Sequence, residues 1–120
     1  YGFGNSVTFP FAAGATTALL PDRPTPERMF ALIKTCRPTL FFALPTVYTA
    51  LIKHPSAATA DLSSVRLCIS AAEVLSGDVF TAWKSRFGHE IMEGLGSTYL
   101  SVQHVGSEEA GIGWQARAWI

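Results

Sequence analysis

The stretch Glu90–Leu100, EIMEGLGSTYL, decides how the rest of the chain is read. Ile91 and Met92 are apolar, and a strand here ends at Glu93; Gly94 and Gly96 then bracket Leu95, and two hydroxyl residues, Ser97 and Thr98, follow. A strand that runs into a Gly/Ser/Thr turn presents backbone N–H groups and hydroxyls at its carboxyl end. In open α/β sheets ligands bind at that edge, and such a turn suits a phosphate. Many turns of this composition are simply turns. The reading therefore depends on whether the remaining chain builds a parallel sheet beside this one.

Upstream, Ser76 is a good helix N-cap with Asp78 in the first turn; Val79, Phe80, Trp83 and Phe87 make an apolar stripe, and Gly88 suits the position just past the end. Val65–Ser70 (VRLCIS) reads as a strand, and His54–Ser64, polar and small with Pro55 inside it, as a surface loop. Val47, Tyr48, Leu51 and Ile52 share one face of a helix beginning near Thr46, and Thr39–Leu44 (TLFFAL) is a buried strand ended by Pro45. Thr25 as N-cap, Pro26 at the first helical position and Glu27 near the positive end of the dipole predict another helix. Met29, Phe30, Ile33 and Cys36 lie on its apolar face, and it stops before Pro38. Ala15–Leu20 (ATTALL), bounded by Gly14 and Pro21, reads as a further strand. Before it, Asn5 or Ser6 caps a short helix ending near Gly14 and shortened or kinked by Pro10.

Strands and helices thus alternate, and the strands are apolar on both faces. The expected fold is α/β: a partial doubly wound parallel sheet of about four strands with three crossover helices, followed by an irregular tail. Ser101–Ile120 has neither helical nor strand periodicity. The 120 residues are 48% hydrophobic and 15% charged, rather apolar for a free-standing domain, which implies surfaces that something else covers. Nine basic and nine acidic residues cancel, so electrostatics make no case for nucleic acid or an anionic membrane. No apolar run approaches a membrane span and no signal peptide opens the chain, so a cytoplasmic location is expected. Cys36 and Cys68 sit in apolar runs and read as buried reduced thiols; His54, His89 and His104 lack ligand spacing, and no metal site is expected.

Parallel strands place all their carboxyl ends on one edge. Three loops should meet there: Leu44–Tyr48, Ser70-Ala71-Ala72-Glu73, and Gly94–Thr98. The second is small enough for a flat ring to lie along its backbone, although tight packing under the following helix asks for the same residues. Glu73 also reads as a solvated loop charge, and Pro45 and Tyr48 as a helix start and a core aromatic. No Ser/His/Asp triad, Cys–His pair or acidic metal-ligand set occurs, so hydrolytic or metal-centred catalysis within this chain finds no support.

Four segments in unbroken order, YGFGNSVTFPFAAGATTALLPDRPTPERMFALI, TLFFALPTVYTALI, VRLCISAAEVL and RFGHEIMEGLGST, resemble the acyl-adenylate-forming ligases, and among these the aryl-CoA ligases of the benzoate type. The resemblance runs from Tyr1 to Thr98 and corresponds to an internal slice of the large AMP-binding, adenylating domain. It implies an enzyme that activates an aromatic carboxylate with ATP and Mg²⁺ to an acyl-AMP and passes the acyl group to CoA. By position, it implies that Tyr1, Ala43, Pro45 and Gly96 line the aryl pocket and that adenine lies along Ser70, Ala71, Ala72 and Glu73. Glu93, with Gly94 behind it, falls near the adenine amino group. Ser97 and Thr98 fall at the phosphate, Thr98 being the one position implied to act in catalysis.

The resemblance breaks after Thr98. A family glutamate that helps hold Mg²⁺ is here Tyr99, and a phenol does not replace a carboxylate around a hard cation at neutral pH. The upstream Gly-rich phosphate loop, the downstream ribose-binding aspartate and the small lysine-bearing domain are not among the 120 residues. The expected division is 1–98 as a fragment of the adenylating domain and 99–120 as a tail unlike the family, reached through a changed reading frame. The fragment is expected to be inactive alone, with no cofactor certain for it. Two other readings stay open: a stand-alone nucleotide- or aromatic-acid-binding module, and a structural remnant that self-associates through uncovered sheet edges.

Overall fold

The computed structural model describes residues 1–94; Gly96, Ser97, Thr98, Tyr99 and the expected irregular tail lie outside that range. Within it the chain is a mixed α/β unit with a small parallel sheet. Strands β1 (Leu40–Ala43), β2 (Leu67–Ser70) and β3 (Ile91–Glu93) pair in sequence order, both pairs parallel. The helices are α1 (Phe9–Ala12), α2 (Pro26–Cys36), α3 (Pro45–Lys53) and α4 (Gly77–Phe87).

Local signals place these elements well. The Thr25 side chain accepts from the Arg28 N–H at 3.5 Å and Pro26 opens α2, which ends before Pro38 with Arg37 in the left-handed region (φ 46°). The Ser76 side chain accepts from Val79 N–H at 3.3 Å to start α4, and Gly88 (φ 75°) ends it by donating to the Lys84 carbonyl.

Alternation along the strands sorts their side chains. Phe41, Ala43, Cys68 and Ile91 turn to the face carrying α3 and α4, where they join Tyr48, Leu51 and Trp83 in one core. The aromatic centre is tight: Trp83 meets Tyr48 edge-on at 4.7 Å between ring centroids and stacks parallel to Phe41 at 6.2 Å. The opposite face is also apolar, with Leu40 exposed, Phe42, Leu67 and Met92 half-buried, and Ile69 buried.

Four expectations need correction. Ala15–Leu20 carries no regular secondary structure and is not a strand, so the described residues hold three strands rather than four. Its composition suits a strand, but a strand needs a ladder partner, and none of the sheet's strands pairs with it. The N-terminal helix does not begin at an Asn5 or Ser6 cap. Helical turns start at Gly2, and Gly4–Thr8 winds as a π-helix into α1. Asn5 donates its side-chain amide to the Tyr1 carbonyl, and Pro10 is taken up near the start of α1. His54–Ser64 is more than a surface loop, since Pro55–Ala58 forms a 3₁₀ turn and Ala57 and Leu62 are buried. There His54 Nδ1 accepts from Ser56 N–H and its Nε2 meets Glu27 of α2 at 2.6 Å.

The fourth correction concerns the thiols. Both are free, but Cys36, in the last turn of α2, is exposed; Cys68 is buried beneath Tyr48 and Trp83, and burial pushes its pKa up to about 11. A thiol must ionise to attack a disulfide reagent. Native chain at pH 8 should therefore release one equivalent from dithionitrobenzoate, from Cys36, and a second once denatured. Two fast equivalents from the native chain would contradict the packing of Cys68.

Candidate functional site at the strand carboxyl edge

Register brings the expected residues into one row. Ala43 of β1 stands opposite Ser70 of β2, and Ser70 stands opposite Glu93 of β3. The Gly94 N–H donates to the Ser70 carbonyl at 2.8 Å, extending the pairing past the end of β3. All three loops that follow the strands therefore start from one edge.

Tyr1 reaches the same edge from the other end of the described chain. Its hydroxyl donates to the Ile69 carbonyl at 3.2 Å and lies 3.5 Å from the Ala43 carbonyl. Partial burial pushes this phenol up to about 12, so it is a neutral donor at physiological pH. Pro45, buried, opens α3 directly after Ala43 and Leu44. The three described residues expected at an aryl pocket, Tyr1, Ala43 and Pro45, thus lie together, and Gly96 falls outside the described residues. Tyr48, one turn into α3, is fully buried; its hydroxyl donates to Ile69 O at 3.0 Å and lies 3.2 Å from Phe41 O, tying α3 to both β1 and β2.

The Ser70–Glu73 loop divides by exposure. Ser70 and Ala71 are buried, and Ser70 Oγ has no hydrogen-bond partner among the described residues. Ala72, Glu73 and Val74 form an exposed lip, and Leu75 returns to the core. Ala72 has φ 71°, a left-handed conformation that alanine adopts only when its surroundings hold it there.

Sequence reasoning missed what the two carboxylates do. Glu73 Oε2 accepts from the Thr46 N–H at 3.4 Å, and Glu93 Oε1 accepts from the Leu75 N–H at 3.0 Å. Thr46 N–H is one of the first-turn donors that α3 cannot satisfy itself, because Leu44 carries no capping side chain. Only the adjacency of the strand ends in the sheet signals these bonds. They also bear on Mg²⁺. Each carboxylate is engaged by a backbone N–H, and no group of three or more acidic, His or Cys side chains is assembled among the described residues. The residues described here do not make a Mg²⁺ cage.

An apolar cleft of about 190 Å³ lies between the start of α2 and α3, lined by Pro24, Met29, Val47 and Ala50 among others. It is smaller than the roughly 300–1,000 Å³ usual for small-molecule sites. No described helix is long and apolar enough to cross a membrane.

Comparison with known proteins agrees with the α/β fold. A sequence profile described as "AMP-binding enzyme" matches residues 1–115. The 4-hydroxybenzoate–CoA/benzoate–CoA ligase of Rhodopseudomonas palustris is 44% identical over 101 residues, which is 83% of this chain and 19% of that protein. Among solved structures, the anthranilate CoA ligase AuaEII in complex with anthranoyl-AMP superposes with a TM-score of 0.77 at 35% identity, over 82% of this chain and 19% of that one. A benzoate CoA ligase from Burkholderia xenovorans LB400 does so with a TM-score of 0.73 at 38% identity, over 81% of this chain and 20% of that one. The chain thus spans about one fifth of the length of the relatives it matches.

Proposed function

Because the chain belongs to the AMP-binding enzyme family, we propose that it is an internal slice of an ATP-dependent aryl-CoA ligase, one that adenylates a benzoate-like carboxylate and transfers the acyl group to the thiol of CoA. The observation that carries this reading is the row Ala43–Ser70–Glu93, with Tyr1 bonded at its end. Among the described residues, those assigned to the acid and those assigned to the nucleotide start from a single sheet edge, which supports this reading.

In this reading the aromatic ring of the acid packs near Tyr1, Ala43, Pro45 and Gly96. The adenine lies along the exposed lip that follows Ser70 and Ala71, formed by Ala72 and Glu73, with Glu93 and Gly94 at its border. Ser97 and Thr98 are assigned to the phosphate, Thr98 as the one position assigned to catalysis. What the edge contributes to the reaction is placement. It holds a carboxylate oxygen in line with the α-phosphate, and fixed donors offset the charge that develops there. ATP and CoA are substrates of the whole enzyme, and Mg²⁺ would neutralise phosphate charge once other parts of the protein supply its ligands. The 120 residues alone are expected to form no acyl-CoA. Residues 99–120 are read as a segment apart from the slice because Tyr99 stands where the family places a carboxylate, although the profile match itself runs on to residue 115.

The test is an amide-shift titration of the isotopically labelled 120-residue chain with ATP and, separately, with benzoate. ATP, bound at about millimolar strength in the absence of a phosphate loop, should move the resonances of Ala71–Leu75 and Gly94. Benzoate should move those near Tyr1 and Ala43. Shifts confined to other surfaces, or none at 10 mM ligand (roughly tenfold above that strength), would contradict this assignment of the edge.

A further inference from the structure

The turn after β2 combines three observations that the adenylating reading does not require. Ala72 holds a left-handed φ of 71° without being glycine. The Leu75 N–H is fixed to Glu93 Oε1 at 3.0 Å on one side of the turn, and Thr46 N–H is fixed to Glu73 Oε2 at 3.4 Å on the other. The ends of the turn, Ala71 and Leu75, are buried, whereas its lip, Ala72 to Val74, is exposed. A strained residue persists in an exposed lip only where its surroundings over-determine it. Here Glu73 ties the lip to the first turn of α3, and Glu93 ties the return of the lip to the end of β3.

We propose that Glu73 and Glu93 are positioning residues, two carboxylate clamps that link the three strand-end loops and hold the Ala72 turn in the shape that receives the nucleotide. The inference rests on the ligase reading for its nucleotide, but the clamps themselves are properties of the ligand-free chain. Glu93 acts through the loop in this arrangement, since the oxygen seen bonded points at Leu75 and holds up the lip on which a ring would lie. Glu73 likewise spans from that lip to the start of α3, so that β1, β2 and β3 present their loops as one unit. Charge-assisted bonds are stronger than neutral ones when short, so the 3.0 Å bond to Leu75 holds more firmly than the exposed 3.4 Å bond to Thr46, and removing either carboxylate hands its N–H to water.

The experiment is amide hydrogen exchange, residue by residue, on the full 120-residue chain, with ATP as the nucleotide probe in a second series. In the unmodified chain the Leu75 amide should be protected. Glu93→Ala should speed its exchange by about tenfold or more, while the amides of Tyr48 and Trp83 keep their protection. Glu93→Gln, whose carbonyl accepts the same bond, should restore Leu75; a residue needed only to fill space would not distinguish alanine from glutamine in this way. Glu73→Ala, at an exposed position, should speed Thr46 and leave Leu75 unchanged. In both alanine variants the ATP-dependent shifts of Ala71–Leu75 should require about tenfold more ATP, and in Glu93→Gln they should not. Exchange of Leu75 at its unprotected rate in the unmodified chain, or no change at Leu75 and Thr46 in the alanine variants, would overturn the clamps. Should Glu93→Ala lose core protection, the unmodified chain and Glu73→Ala still decide. An unmodified chain with protected Leu75 and no ATP-dependent shift would leave the clamps standing and count against the ligase reading alone.

Discussion

Replacing Trp83 with alanine is expected to leave the chain without a cooperative unfolding transition at 25 °C. Trp83 is fully buried at the centre of a single core. It stands edge-on to Tyr48 at 4.7 Å, stacks on Phe41 at 6.2 Å and tilts against Phe87 at 4.4 Å. It therefore joins α4 to α3, to β1 and to its own last turn at once. Truncating a buried Trp to Ala costs about 3–5 kcal/mol, since the cavity closes only in part. Small domains have about 5–15 kcal/mol in total. This one has a half-exposed second sheet face and an N-terminal helix with no buried residue, so it belongs near the lower limit. Urea titration followed by far-ultraviolet circular dichroism checks the result: a broad, sloping loss of signal is expected where the unmodified chain gives a sigmoid. A variant that kept the midpoint within a few tenths of a molar would mean that Trp83 is not the keystone of this core.

Removal of one oxygen should have the next largest effect. Tyr48→Phe keeps the ring in place but deletes a hydroxyl that donates to Ile69 O at 3.0 Å and sits 3.2 Å from Phe41 O. Ile69 O keeps the Tyr1 hydroxyl, so the loss is that of a buried hydrogen bond tying α3 to the sheet, about 1 kcal/mol. The same side chain sets a pH signature. Burial, as the largest cause, with Cys68 and Tyr1 adding to it, raises the phenol well above its ordinary value. A group whose folded pKa is raised contributes stability below its unfolded pKa and loses it as pH climbs beyond that point. For Tyr48 the window opens near the unfolded tyrosine value of about 10. Above it the unmodified chain should lose stability more steeply with pH than Tyr48→Phe, so the gap between them narrows. Urea midpoints at pH 7 through 11 test this; a gap that widens with alkalinity would contradict a buried, neutral phenol.

What could be read from the sequence was what neighbours along the chain decide. Thr25-Pro26-Glu27 opens α2, and Ser76 and Gly88 bound α4, because caps act within one turn of their own residue. Phe41, Cys68 and Ile91 were readable as buried strand residues because each stands in a short apolar run bounded by helix signals. Ala15–Leu20 has the composition of a strand, yet pairing is a long-range event that composition does not contain. The exposure of Cys36 shows the limit of helical periodicity in a last turn, where the partner surface has already ended. At the candidate site, the three loops were legible because a parallel sheet puts all strand ends on one edge. The bonds from Glu73 and Glu93 were not, since they join residues 27 and 18 positions apart in the chain. Nor was the left-handed Ala72, a conformation that only glycine would have announced.

The measurement that bears most directly on the central claim is benzoate-dependent exchange of pyrophosphate into ATP by a chimeric enzyme. Residues 1–98 of this chain would replace the matching segment of the Rhodopseudomonas palustris ligase, with which the chain shares 44% identity over 101 residues. A slice of an aryl-adenylating domain should support exchange within about tenfold of the parent, a difference of roughly 1.4 kcal/mol in the barrier. A chimera that folds and binds ATP but shows no benzoate-dependent exchange would contradict the assignment of this sheet edge to the aryl-adenylating reaction.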